Sequence, residues 1–150
     1  MRAAAMPRRR VDAAHRVLAG LFAASCLTVL SLAAFLRADP AGHGTHTQLG
    51  LPACGWMATH GRPCITCGMT TSFTHAAGGD LIAAGVVQPA GAMLALVAAA
   101  GFWGALHVAW TGSTLALAFG KAVGLKALWI ALAIGGAAWA YKLVVTPLGG

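Results

Sequence analysis

The chain has 150 residues, of which 59% are hydrophobic and 9% charged, and its mean hydropathy is +0.76. Ten basic and three acidic side chains are too few to clothe a soluble fold of this size, and so apolar a chain is no disordered one either. The net charge of +7 invites a nucleic-acid reading, but five of the ten basic residues lie in the first sixteen positions, directly before an apolar run. No stripe of Arg or Lys alternates with aromatic residues, so the expected partner is the lipid bilayer and not nucleic acid.

Taken in chain order, residues 1–16 form a basic arm carrying Arg2, Arg8, Arg9, Arg10 and Arg16. Residues 17–36 are uncharged; twenty helical residues rise about 30 Å, enough for a first membrane span. The run is longer than a cleaved signal's apolar core and no A-x-A site closes it, so a signal-anchor helix is expected. Residues 37–80 hold four of the six His and three of the four Cys, and this polar segment is where chemistry is expected. From Leu81 to Trp110 the chain is apolar again, with Asp80 placed to cap a short helix over 81–87. Gln88-Pro89 then breaks it, because proline has no N–H and clashes with the preceding turn. A second span follows over about 90–110. Residues 111–126 form a linker with Lys121 and Lys126, and residues 127–147 hold a third span. There Lys142 is expected to snorkel to the interface beside Trp139 and Tyr141.

The fold class expected is therefore an all-α integral membrane protein of three transmembrane helices, with a Cys-rich re-entrant or interfacial segment between the first and second. The basic arm and the 111–126 linker carry the charge bias of cytoplasmic segments. A multi-pass protein of the cell (inner) membrane follows, with a cytoplasmic N-terminus and the Cys segment outside. Gly101-x-x-Gly104 and Gly135-Gly136 permit close helix contact, either in a homo-oligomer or within the bundle itself, the latter being preferred. With three acids in the whole chain, general acid–base hydrolysis has almost no material, and the expectation leans away from an enzyme.

The polar segment centres on Cys54, followed by Gly61, Pro63, Cys64, Cys67, Gly68 and Thr70. Gly79, Leu81, Ala84, Gln88 and Pro89 come after it. This pattern over residues 52–110 resembles the small bacterial membrane proteins of domain-of-unknown-function family 2752, whose signature is a Cys followed by G-x-P-C-P-x-C-G-x-T. Ile65 stands where that signature has the second proline. The resemblance implies a membrane location and no particular activity.

Three chemistries remain open for the cysteines. Cys64-x-x-Cys67 has the spacing of two ligands on one tetrahedral ion, with Cys54 a third and His60, in the same loop, a fourth; the ion would be zinc or copper. His75 is a weaker candidate, since eight helical residues set it about 12 Å beyond Cys67. The pair His43 and His46 reads as a solvated loop. Alternatively, Cys64 and Cys67 form the reactive pair of a membrane thiol–disulfide oxidoreductase with Cys54 as resolving thiol. In the third reading the cysteines only staple the loop, by metal or disulfide. A small accessory subunit of a larger membrane complex is a further alternative, resting on size and the small-residue faces.

Overall fold

The computed structural model describes residues 11–114 and 125–145. Most of the basic arm, most of the 111–126 linker and the tail after Val145 lie outside the described residues. Among the described residues every regular element is helical. They are α1 (Ala13–Phe35), a 3-10 turn (Thr45–Leu49), α2 (Gly55–His60), α3 (Met69–Ala77), α4 (Leu81–Val87), α5 (Pro89–Thr111) and α6 (Leu125–Val145).

Helices α1 and α5, each of 23 residues, are long and apolar enough to cross a bilayer, and α6 contributes a shorter apolar stretch over Trp129–Val145. Their large apolar side chains point outward: Leu18, Leu21 and Phe22 of α1 and Val97, Trp103 and Trp110 of α5 are all more than half exposed. A soluble core helix would bury such a face, whereas lipid leaves it apolar and uncovered. The two helices suggest a membrane protein on this ground.

α1 and α5 run antiparallel and form the frame. At one end the Arg16 guanidinium donates to the carbonyls of Ala109 (3.0 Å) and Trp110 (3.1 Å), and Val11 N–H donates to Gly112 O. A cation there meets the orphan carbonyls and negative end of α5. At the other end Ala33 of α1, Phe73 of α3 and Ala95 of α5 form the apolar core, with Leu30, Met69 and Ala76 packed on it. The short helices of the polar segment thus cover the end where α1 finishes and α5 begins.

α4 and α5 are one apolar run cut by Pro89. The Asp80 carboxylate accepts from Ala83 N–H (2.9 Å) and starts α4. The chain leaves helical geometry at Gln88 (φ −158°, ψ 100°) and resumes it with Pro89 in the first turn of α5. The break leaves carbonyls that other elements satisfy. Val86 O accepts from Tyr141 Oη (3.1 Å) and Val87 O from Lys142 Nζ (3.0 Å). The buried Ser72 hydroxyl lies 2.8 Å from Ala84 O and 3.0 Å from Gln88 O and reinforces two carbonyls that already accept from Gln88 N–H and Ala92 N–H. Lys142 therefore does not snorkel outward as its place near the end of an apolar helix suggests. It is 6% exposed and turns inward, because the broken helix offers it acceptors that a continuous helix would have consumed.

Of the small residues, Gly101 faces Phe22 of α1, but a Cβ at Gly104, Gly135 or Gly136 would meet nothing within 4 Å. The Gly104 and Gly135-Gly136 positions are not used for packing among the described residues, against the expectation of a bundle closed on its own glycines. Gly91 is different: a Cβ there would stand 2.8 Å from Ser72 Cβ and 2.9 Å from its hydroxyl. Gly91→Ala should cost about 1–3 kcal/mol through overpacking, whereas Gly104→Ala should be neutral or gain up to about 1 kcal/mol of helix propensity. Thermal or denaturant unfolding in detergent, followed by circular dichroism, checks this; equal midpoints would sink the close α3–α5 contact.

Candidate functional site

The site is built where the loop after α2 turns back on the bundle. Cys54 occupies the N-cap of α2. Cys64 and Cys67 are brought together by a tight turn closed by Cys67 N–H on Cys64 O (3.0 Å). Gly68 ends that turn in the left-handed region (φ +85°), where a Cβ would stand 2.7 Å from Gly42 O; only glycine fits, and it launches α3. The turn is pinned from outside. Trp139 Nε1 donates to Pro63 O (3.3 Å) and Gln88 Nε2 to Ile65 O (3.1 Å). Ile65, standing in place of the signature's proline, thus has its backbone fixed by a tertiary hydrogen bond.

As a result the sulfurs of Cys54, Cys64 and Cys67 all lie within 4.8 Å of one another, and Cys54 Sγ–H donates to Cys64 Sγ at 3.5 Å. Thiolates on one tetrahedral zinc at 2.3 Å stand about 3.8 Å apart, inside that span. The three cysteines line one cavity of about 290 Å³ together with His46, Thr66 and Met69.

The other histidines are placed differently. His60 is exposed, its ring stacks on Trp56 (centroids 4.3 Å apart) and its Nδ1 is 2.6 Å from Thr59 Oγ1; it is not in the sulfur cluster. His75 sits half-buried in the last turn of α3, likewise outside it. His46, which the sequence presents as one of a solvated pair, is the histidine that lines the cavity. What brings it there is the 3-10 turn on which it rides. Thr45 is fully buried and its hydroxyl hydrogen-bonds that of Thr71 on α3 (2.8 Å) while accepting from Asp39 N–H. No local spacing announces a threonine pair 26 residues apart.

The thiols differ electrostatically. Cys54 does not form a full capping hydrogen bond, but the Met57 backbone N–H at the start of α2, aided by the Cys64 thiol, draws its pKa below the ordinary value against a smaller effect of burial. Burial pushes the Cys67 thiol up from 9.0 to about 11, and the neighbouring Cys64 and Cys54 add to this. The site offers one accessible thiolate-forming cysteine and one that stays protonated unless a cation compensates it.

The described residues form a helical protein with two helices long and apolar enough to span a bilayer, which suggest a membrane protein, joined through a segment that gathers three thiols. Residues 54–103, a third of the chain, match the family model described as "Protein of unknown function (DUF2752)", to which this segment is similar. The match takes in all three cysteines, the Gln88-Pro89 break and most of α5. No curated protein and no solved structure matches the chain.

Iodoacetamide at about pH 8 should label Cys54 well before Cys67 in the metal-free, reduced protein, as read by peptide mass mapping; equal rates would contradict the electrostatic difference. A raised folded pKa also means that Cys67 contributes stability fully present below 9.0 and lost as pH climbs through about 11. Melting of the metal-free protein should weaken across that window, and Cys67→Ser should flatten the dependence.

Proposed function

We propose that this is an integral membrane protein of three spans that holds one thiophilic metal ion, zinc or copper, on Cys54, Cys64 and Cys67. The observation that carries the reading is the convergence of three sulfurs within 4.8 Å on one cavity. The metal supplies what the loop lacks, a core of its own: it ties α2 and the Cys64–Cys67 turn to the start of α3. The role is structural or metal-holding, not catalytic.

The sidedness of this reading comes from charge. Arg16 lies at the end of the α1–α5 frame opposite the cysteines, and in the sequence Lys and Arg concentrate in the segments 1–16 and 111–126. Positive-inside bias then sets the N-terminus in the cytoplasm of the cell (inner) membrane and the cysteine site on the outer face.

Thiol–disulfide exchange through Cys64 and Cys67 is the weaker reading, because burial holds the Cys67 thiol protonated and a protonated thiol is a poor nucleophile. The 3.5 Å approach of Cys54 to Cys64 favours those two as the pair if a disulfide forms.

Native intact mass of the detergent-purified protein, prepared without reductant or chelator, tests the proposal. A mass raised by one zinc or copper ion and lost with Cys64→Ser supports it. A mass lowered by two hydrogens and restored by reductant would replace it with the disulfide. No shift of either kind would leave the cysteines as packing groups and end the metal reading.

A further inference from the structure

Three thiolates leave one corner of a tetrahedral ion open. Resting on the metal reading above, we infer that His46, through Nδ1, fills it, completing a Cys3His centre for a divalent ion.

The argument begins with placement. His46 lines the same cavity as Cys54, Cys64 and Cys67, and its turn is anchored by the buried Thr45–Thr71 hydrogen bond to the helix that begins two residues after Cys67. Its other ring nitrogen is already committed: Nε2 lies 3.1 Å from Pro52 O. A carbonyl there accepts the Nε2–H, fixes that tautomer and leaves the Nδ1 lone pair free, which is how ligating histidines are oriented from behind. Pro52 is two residues before Cys54, so one short segment carries both a ligand and the group that orients another. His46 is outside the set of atoms within 4.8 Å. Ligation would require the turn and the Cys54 segment to close the remaining gap, and the Nε2–Pro52 hydrogen bond links the two. The rival in the loop is occupied, since His60 is stacked on Trp56 and faces outward.

Charge supplies the second strand. Lys142 Nζ lies beside Gly68, 3.2 Å from the place of its missing Cβ, and donates to Gly42 O (3.4 Å) and Val87 O. Three thiolates, a neutral imidazole, a divalent ion and one ammonium sum to zero, whereas a monovalent copper ion would leave one negative charge unbalanced. A partly buried assembly favours the neutral sum, and hence zinc.

Cobalt(II) titration of the full chain in detergent, stripped by chelator and kept reduced and free of oxygen, is the test. The wild-type protein should bind one Co²⁺ with the visible absorption of a tetrahedral ion and sulfur-to-metal charge transfer. His46→Ala should shift those bands and weaken affinity at least about tenfold, while His60→Ala changes neither. His46→Cys should restore wild-type-like affinity and strengthen the charge-transfer band, which separates loss of a ligand from loss of the fold. Unchanged bands and affinity in His46→Ala would overturn the assignment of His46 and leave the three-thiol site standing. No tetrahedral cobalt spectrum in the wild-type protein would overturn the metal reading and this inference together.

Discussion

The break at Gln88-Pro89 is the constraint on which the rest depends. Proline cannot donate, so a run of apolar residues that would otherwise be one long helix ends as α4 and restarts as α5. In an apolar medium a backbone carbonyl without a donor costs several kcal/mol, and the chain answers by bringing donors from elsewhere. Tyr141 and Lys142 come from α6 to Val86 O and Val87 O, and Ser72 of α3 adds a second bond to Ala84 O. These bonds decide where α6 docks and how close α3 lies to the start of α5, which is why Gly91 has no room for a side chain. The end of α4 thus gathers donors from two other helices.

The cysteine loop inherits its position from that break. Gln88 bonds the Ile65 carbonyl, Trp139 bonds that of Pro63, and Lys142 reaches Gly42. A loop with too little apolar mass to pack itself is held from the bundle side by backbone hydrogen bonds, and its sulfurs are presented on the side that remains. The Gln88 amide oxygen is buried without a partner among the described residues.

Much of the frame was legible in the sequence, and the reason is locality. Asp80, Pro89 and the uncharged run before Arg37 act on their own neighbours, so cap, break and apolar helix can be read from adjacent letters. The nearness of Cys64 to Cys67 is likewise a matter of three positions and a glycine. What escaped reading depends on partners far along the chain. Lys142 resembles an interfacial lysine until its acceptors, 55 and 100 residues away, are in view. His60 is the expected ligand by nearness in sequence, while His46 comes to line the sulfur cavity through a hydroxyl contact between Thr45 and Thr71 that leaves no periodic trace. The small-residue faces misled for a related reason: Gly104 and Gly135-Gly136 permit close approach, but permission does not supply a neighbour.

The donors that complete the polar segment lie at residues 139–142, in the last of the described helices to be synthesised. Until that helix is made, the carbonyls of Pro63, Val86 and Val87 lack these donors and must bond to water or to other groups. Locking of the cysteine loop is therefore completed only on arrival of the last described helix, which adds to the Gln88 contact and the loop's own turn. A chain truncated before Trp139 would keep the Gln88–Ile65 contact and the Cys64–Cys67 turn but lose the donors to Pro63, Val86 and Val87.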